Sequence, residues 1–264
     1  MPVGHVYFIG AGPGAPDLLT MRGRDIIARA GLVIYADSLV HPRLCEFARP
    51  GTEIIGSSTL TLEEIVERTI AAASAGLTVA RLQSGDPAIY GAIHEQMVRL
   101  DAAGIPWTIV PGVSSAFAAA ALLGIELTVP ELTQTVILNR VSGRASPVPA
   151  LEELRGLAAH QASLVLFLSV THMTKVVTGL REGGYPDDTP VAVVHRATWE
   201  DEQVVRGTLL DIVARVREAK FIKQALILVG PALRGREELA GRRSRLYSAT
   251  HSHLFRQARE APEE

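Results

Sequence analysis

Short apolar runs alternate with longer stretches of helical periodicity through the first half of the chain. The runs typical of strands cover residues 6–9, 32–35, 53–55, 78–82 and 107–110. The stretches between them predict helices over residues 18–30, 62–75, 92–103 and 115–123. Strands that alternate with helices of this length indicate βαβ units and a mainly parallel sheet.

The second half repeats this alternation with a different strand character. Its apolar runs cover residues 135–138, 163–168, 190–194, 203–208 and 225–229, with helical patterns over 150–159, 173–182 and 209–218. The run at 203–208 alternates apolar and polar positions, as a half-exposed or antiparallel strand does. The other runs are continuously apolar, as strands buried on both faces are.

The pattern therefore predicts an α/β protein with two αβα domains. The first covers residues 1–125 with a mainly parallel sheet, and the second covers 134–233 with a mixed sheet. Residues 126–133 form the predicted linker between them. Beyond residue 233 the chain becomes rich in Arg and Glu and loses its periodicity, so we expect 234–264 to be a charged tail, on the surface or disordered.

Composition narrows the possible partners. The apolar fraction is 47%, which supports full cores and excludes wholesale disorder. The formal net charge of −2 offers no field for nucleic acid, so no nucleic-acid partner is expected. Cys45 is the single cysteine, and the eight histidines show no ligand spacing, so we expect no disulfide and no metal. No apolar run has the length of a membrane span and no signal pattern opens the chain, so we expect a cytoplasmic protein without a membrane partner.

A glycine-rich segment directly follows the first predicted strand. Glycines let the backbone approach a ligand closely, and open α/β sheets bind ligands beyond the carboxyl ends of their strands. Gly10, Gly12 and Ala15 satisfy the G-x-G-x-x-A dinucleotide pattern, and Asp37 follows the second strand as a ribose-binding acid would. A dinucleotide-dependent oxidoreductase is therefore one interpretation, and a turn that merely needs glycine is another.

Two prolines argue against the dinucleotide interpretation. A pyrophosphate is held by backbone N–H groups of this loop and of the helix that follows it. Pro13 and Pro16 have no N–H and remove donors at those places. The loop therefore favours a ligand without a pyrophosphate.

Three later strand ends carry similar residues. They are Ser84-Gly85-Asp86-Pro87, Val110-Pro111-Gly112-Val113-Ser114-Ser115 and His195-Arg196-Ala197-Thr198. Each alone could be a turn or a helix cap, as Asp86 before Pro87 or Ser114 before an Ala-rich helix. Together with the first loop they indicate one small-molecule site at the edge of a sheet, and they disfavour a non-catalytic binding module.

In this order the loops resemble those of the tetrapyrrole methylase family. The resemblance rests on Gly10-Ala11-Gly12-Pro13-Gly14, Leu18-Leu19-Thr20 and the loops beginning at Ser84 and Val110, and it covers residues 3–233. Segments 35–40, 84–92, 134–138 and 143–149 are similar to the branch that methylates corrin precursors in cobalamin biosynthesis. The resemblance implies a homodimer with S-adenosylmethionine in a cleft between two α/β domains. It also implies methyl transfer to a ring carbon of a tetrapyrrole, leaving S-adenosylhomocysteine. Another acceptor, such as uroporphyrinogen, is an alternative, and whether the acceptor carries cobalt stays open.

The resemblance also implies particular site residues. Cofactor contacts fall on Pro13, Ser84, Gly85, Asp86, Ile89, Ser114, Ser115, Leu168, Ala197, Ala225 and Leu226. For Asp86 a ligand contact and a helix cap are equal alternatives.

A polycarboxylate substrate should meet cationic side chains near the strand ends, because guanidinium groups bind carboxylates in a bidentate manner. The candidates are Arg22, Arg140, Arg144, His195 and Arg196. Asp37 is a candidate for proton abstraction or substrate positioning, with a strand-end cap as its alternative. The uroporphyrinogen branch has a lysine after the next strand, but Gly56-Ser57-Ser58 has none, so a base-and-acid pair does not transfer.

Overall fold

Two five-stranded sheets with flanking helices organise the protein, as the apolar pattern predicts. The computed structural model describes residues 2–143 and 147–258. The chain divides into two compact units: Met1–Leu123 with Val194–Gln203, and Gly124–Val193 with Val204–Glu264. We refer to them as the N-terminal and C-terminal units. The segment Val194–Gln203 thus groups with the N-terminal unit although it lies late in the sequence.

The sheet of the N-terminal unit is parallel throughout. Its strands are β1 (Val6–Gly10), β2 (Leu32–Tyr35), β3 (Glu53–Gly56), β4 (Val79–Gln83) and β5 (Trp107–Val110). They lie in the order β3-β2-β4-β1-β5, with Val6 opposite both Val79 and Trp107. Because β4, β1 and β5 are neighbours, the three loops that follow them leave the sheet side by side.

Helices α1 (Met21–Arg29), α2 (Leu62–Ser74) and α3 (His94–Ala102) connect these strands, and α4 (Ser115–Leu123) follows β5. Thr61 and Glu64 form the capping box that their spacing predicts, and α2 begins directly after it. The helix predicted over 18–30 is wrong at its start. Pro16–Leu18 is a 3₁₀ turn, and α1 begins at Met21 because the Thr20 hydroxyl accepts the Gly23 N–H at 3.2 Å.

The sheet of the C-terminal unit is mixed. Its strands are β6 (Val136–Arg140), β7 (Ser163–Phe167), β8 (Pro190–His195), β9 (Gln203–Thr208) and β10 (Ala225–Val229). The order is β6-β7-β10-β8-β9, with β6 parallel and β10 antiparallel to β7. Fully buried Leu164, Leu166 and Ile227 lie in its core, which explains the continuous apolar runs.

Helices α5 (Leu154–Ala158), α6 (Met173–Glu182) and α7 (Ile212–Glu218) belong to this unit. Two predicted helices are shorter than expected, since Ala150–Glu152 is a separate 3₁₀ turn and α7 begins only at Ile212. In the described part of the tail, Arg236 donates to the Gly124 carbonyl and Arg242 to the Glu131 carbonyl, both at 3.2 Å. Within residues 2–143 and 147–258, no helix combines the length and apolar character needed to cross a membrane.

Candidate functional site

The first and second glycine loops pair with each other through their backbones. Gly12 N–H donates to the Gly85 carbonyl at 3.2 Å, and Gly85 N–H donates to the Gly12 carbonyl at 2.8 Å. Gly12 has φ +77° and Gly85 has φ +63°, a region that residues with a Cβ rarely adopt. The two glycines therefore make a reciprocal bridge that other residues would strain.

The third loop packs against the same bridge. A Cβ on Gly10 would lie 2.5 Å from the Cα of Gly112, and a Cβ on Gly112 would lie 2.2 Å from the Gly85 carbonyl oxygen. Asp86 fastens this packing, since its Oδ2 accepts the Gly112 N–H at 2.9 Å and its Oδ1 accepts the Ala88 N–H at 2.8 Å. The three loops thus form one backbone-lined surface at the carboxyl ends of β4, β1 and β5.

Most backbone donors of the first loop are already used within the protein. Ala11 N–H donates to the Gln83 carbonyl at 2.8 Å, and Ala15 N–H donates to the Thr198 hydroxyl at 2.9 Å. Gly14 is buried, and its N–H donates to none of the described residues. One such donor can meet a single acceptor atom, whereas a pyrophosphate requires several. The geometry therefore argues against the dinucleotide alternative.

The remaining predicted contacts in the N-terminal unit lie around this surface. Ser114 is buried and its hydroxyl accepts the Ala116 N–H at 3.3 Å, so it caps α4, while Ser115 is the first residue of that helix. Ile89 closes the turn of the second loop by donating its N–H to the Asp86 carbonyl at 3.2 Å. Ser84 is half-buried beside Gly85.

Three predicted cofactor residues lie together in the C-terminal unit. Ile227 on β10 is opposite Leu166 on β7, and the strands are antiparallel. The amino end of β10, with Ala225 and Leu226, therefore lies beside Leu168, which follows β7. Leu168 has φ +51° and is 68% exposed, an unusual combination for an apolar residue with a branched side chain.

The predicted cationic residues differ in their surroundings. Arg140 ends β6, where it lies opposite Phe167, and its guanidinium donates to the Pro147 carbonyl at 3.3 Å. Arg22 is exposed on α1, and His195 is half-buried at the end of β8. Arg144 lies outside the described residues.

Arg196 follows β8 and is engaged by its own neighbours. Its Nε lies 2.9 Å from a carboxylate oxygen of Asp201, and its Cζ lies 4.2 Å from the ring centre of Trp199. Ala197, a predicted cofactor contact, is buried next to it. These residues belong to the N-terminal unit.

Asp37 lies directly after β2 and is held by the loop after β3. Its two carboxylate oxygens accept the Ser58 N–H at 2.7 Å and the Ser58 hydroxyl at 2.6 Å. These hydrogen bonds, above all the one from the Ser58 hydroxyl, hold the pKa of Asp37 below its usual range. This is the geometry of a strand-end cap, and a lowered pKa makes the carboxylate a weaker base. The catalytic role of Asp37 stays a prediction.

Two polar residues of β4 were not predicted from the sequence as site residues. Arg81 and Gln83 are both buried, and neither the Arg81 Nε nor the Gln83 Nε2 has a hydrogen-bond partner among the described residues. Burial lowers the pKa of Arg81 to about 10, with Asp37 opposing that shift. A polar residue inside an otherwise apolar strand run is the signal that would have found them.

Comparison with known proteins places this geometry in a family. A family model described as Tetrapyrrole (Corrin/Porphyrin) Methylases matches residues 5–213. A precorrin-4 C(11)-methyltransferase of Pseudomonas aeruginosa is 49% identical over 251 residues, which are 95% of this chain and 98% of the relative.

Solved structures agree with the sequence match. The X-ray structure of a cobalt precorrin-4 methyltransferase, a cobalamin biosynthetic enzyme, has a TM-score of 0.85 and 48% identity, covering 88% of this chain and 96% of that one. A uroporphyrin-III C-methyltransferase of Thermus thermophilus, solved with S-adenosylhomocysteine, has a TM-score of 0.73 and 30% identity, covering 87% and 99%. Since the family model spans most of the chain and relatives share nearly half of its residues, the protein belongs to the tetrapyrrole (corrin/porphyrin) methylases.

Proposed function

We propose that the protein transfers a methyl group from S-adenosylmethionine to C11 of precorrin-4, giving precorrin-5 in cobalamin biosynthesis. The observation that carries this proposal is the match, over almost the whole chain, to proteins named for this reaction. The relatives include enzymes named for precorrin-4 and for cobalt-precorrin-4, so the cobalt-bearing acceptor is the second candidate.

The chemistry asks the protein mainly for positioning. S-adenosylmethionine would supply a methyl group bound to a sulfonium sulfur, and S-adenosylhomocysteine would leave as a neutral thioether that keeps the bonding pair. The ring carbon forms the new C–C bond with π electrons of the tetrapyrrole, and a ring proton is lost afterwards. The reaction is therefore limited by alignment of the two carbons, which rigid loops can provide.

The three paired loops of the N-terminal unit fit the methyl donor. Their surface is lined by backbone because a Cβ on Gly10 or Gly112 would clash with neighbouring backbone atoms, and because Gly85 has a positive φ that disfavours a side chain. The buried Gly14 N–H provides a donor that needs an acceptor. We assign the binding of the methyl donor to Pro13, the loop beginning at Ser84, and the Ser114–Ser115 turn.

The other predicted contacts belong to this proposal as well. They are Leu168, Ala197, Ala225 and Leu226 as contacts of the methyl donor, and Arg22, Arg140, His195 and Arg196 as contacts of the substrate carboxylates. The strained and exposed Leu168 carries the strongest structural argument among them. No catalytic base is assigned.

The direct test supplies each acceptor with isotope-labelled methyl donor. The purified protein is incubated with precorrin-4 or cobalt-precorrin-4 and S-adenosylmethionine carrying a ¹³C methyl group. We expect a product whose mass exceeds that of the acceptor by one CH₂ group that contains the ¹³C label. The ¹³C resonance should be assigned to a methyl on C11. Absence of product with both acceptors, or a methyl at another carbon, contradicts the proposed function.

We also propose a homodimer that works in the cytoplasm. Helix α4 is apolar on every side, and Phe117 and Leu122 on it are exposed, which supports a subunit interface there. A chain with Cys45 alone forms no internal disulfide, which supports a reducing compartment.

A further inference from the structure

Side chains of the turn between β8 and β9 form hydrogen bonds with the first glycine loop. Two side chains of this turn, residues 196–202, reach the loop across more than 180 positions of sequence. The Thr198 hydroxyl accepts the Ala15 N–H at 2.9 Å, and the Trp199 Nε1–H donates to the Pro13 carbonyl at 3.0 Å. All of these residues belong to the N-terminal unit.

The contact between turn and loop is close. A Cβ on Gly14 would lie 2.3 Å from Cδ1 of Trp199 and 2.9 Å from the Thr198 hydroxyl oxygen. Gly14 therefore lets the indole lie directly against the loop backbone. The loop cannot rotate at Pro13 or Gly14 without breaking these contacts.

The turn itself is strained and locally braced. Arg196 has φ +50° and Thr198 has φ +69°, and a β-branched residue in this region is a genuine outlier. The Thr198 N–H donates to a Glu202 carboxylate oxygen at 2.8 Å, and the His41 ring lies 4.8 Å from that of Trp199. Strain of this kind persists where the surrounding structure enforces it, often beside functional sites.

The hydrogen bond from Trp199 also sets the direction of the Gly14 N–H, which has no acceptor among the residues that the structure describes. In a trans peptide the C=O and N–H groups point in opposite directions, and the described residues contain no cis peptide bond. Because Trp199 holds the Pro13 carbonyl, the N–H of Gly14 in the same peptide plane points away from the indole. A buried N–H without a partner costs free energy unless a ligand accepts from it.

We propose that Thr198 and Trp199 are positioning residues that orient the Pro13–Gly14 peptide so that the Gly14 N–H donates a hydrogen bond to the methyl donor. This inference rests on the proposed use of S-adenosylmethionine. Thr198 and Trp199 act through the loop and contact no reacting atom.

Calorimetric titration with S-adenosylhomocysteine tests the proposal. Trp199→Phe keeps an aromatic ring beside Arg196 but removes the Nε1–H donor together with one ring of the indole, and Thr198→Val removes the hydroxyl at nearly constant volume. We expect each to raise Kd by about three- to tenfold, the effect of one lost hydrogen bond. Thr198→Ser, which keeps the hydroxyl, should bind within about twofold of the wild type.

Trp107→Phe is the matched control. Trp107 Nε1–H donates to Asp101 at 2.8 Å, at the start of β5, so its loss removes the same type of bond elsewhere in the unit. We expect its Kd to stay that of the wild type. An equal loss of affinity in Trp107→Phe would overturn the proposal, because the effect would then not be specific to the loop.

Two spectroscopic readouts separate positioning from a general loss of stability. The chain has two tryptophans, so Trp199 is the sole tryptophan in Trp107→Phe. Its fluorescence should change on saturation with S-adenosylhomocysteine, whereas the emission of Trp199→Phe should stay constant. With ¹⁵N-glycine labelling, the Gly14 amide should become protected from exchange in the wild-type complex.

The possible failures are distinguishable. If the wild type does not bind S-adenosylhomocysteine, the proposed function is wrong. If the wild type binds, while folded Trp199→Phe and Thr198→Val bind equally well and the Gly14 amide stays unprotected, the positioning role is wrong and the proposed function stands.

Discussion

Asp86 ties two loops together through Gly112, whose N–H donates to the Asp86 Oδ2 at 2.9 Å. The other oxygen, Oδ1, accepts the Ala88 N–H at 2.8 Å, so the carboxylate also caps the turn that follows it. The helix-cap alternative for Asp86 is wrong, because the next helix, α3, begins only at His94 and has Ile93 at its N-cap. Asp86 caps a turn and bonds to the third loop, and its contact with a ligand stays a prediction. The carboxylate therefore joins the second and third loops.

Asp86→Asn should therefore destabilise the protein and its complex. The amide retains one acceptor oxygen, so one of the two backbone N–H groups loses its partner, at a cost of about 1–3 kcal/mol in the free energy of unfolding. Urea unfolding measures this loss, and calorimetry should show weaker binding of S-adenosylhomocysteine. Asp25→Asn, in an exposed ion pair with Arg24, is the control and should change stability by less than about 0.5 kcal/mol. Equal stabilities of both variants would contradict the bridging role of Asp86.

Gly112→Ala should destabilise the protein more than the addition of a single methyl group suggests. The added methyl would lie 2.2 Å from the Gly85 carbonyl oxygen and 2.6 Å from the Gly10 Cα, and both are backbone atoms that cannot rotate away. We expect a loss of about 2 kcal/mol or more, the cost of overpacking a site that cannot relax. Gly235→Ala is the matched control, because no atom in the described part of the chain lies within 4 Å of its added Cβ. Similar melting temperatures for the two variants would contradict the close packing of the three loops.

The sequence predicts that the three glycine loops meet at one edge of the sheet. It does not predict the backbone hydrogen bonds and side-chain contacts that join them. Alternating apolar runs place β1, β4 and β5 in one sheet, and glycine at their ends predicts a ligand site there. The reciprocal bridge between Gly12 and Gly85 leaves no pattern in the sequence, because it is made by backbone atoms alone. The same holds for the turn carrying Trp199, whose contact with Pro13 joins residues 186 positions apart. Local propensity cannot signal a contact of that range.

Ser58→Ala should raise the pKa of Asp37. The Ser58 hydroxyl is the largest cause of the lowered pKa of this carboxyl, while the Ser58 N–H, which also donates to it, survives the substitution. Titration of the Asp37 carboxyl carbon by ¹³C NMR measures the shift. Thr59→Ala, the next residue in the same exposed loop, is the control and should leave that pKa unchanged.

The lowered pKa of Asp37 also has a consequence for stability. A carboxyl whose pKa is lower in the folded state stabilises the protein above its unfolded pKa, and this contribution is lost as pH falls through the folded value. The stability of Ser58→Ala should therefore approach that of the wild type in acid and fall below it near neutral pH. The opposite order, with the two proteins differing most in acid, would contradict the hydrogen bond as the cause.

Phe117→Glu should convert a dimer into monomers if α4 lies at the subunit interface. Phe117 is 57% exposed on a helix without a polar face, so a second copy of the chain would bury it and a carboxylate there would lose its hydration. Sedimentation equilibrium measures the dissociation.

Val98→Glu on α3 is the matched control, since Val98 is 53% exposed and its substitution adds the same charge. We expect Val98→Glu to remain a dimer, because α3 has polar residues beside Val98 that suit contact with water. A dimeric Phe117→Glu would exclude α4 from the interface, and a monomeric wild type would remove the dimer from the proposed function while leaving the methyl-donor site unaffected.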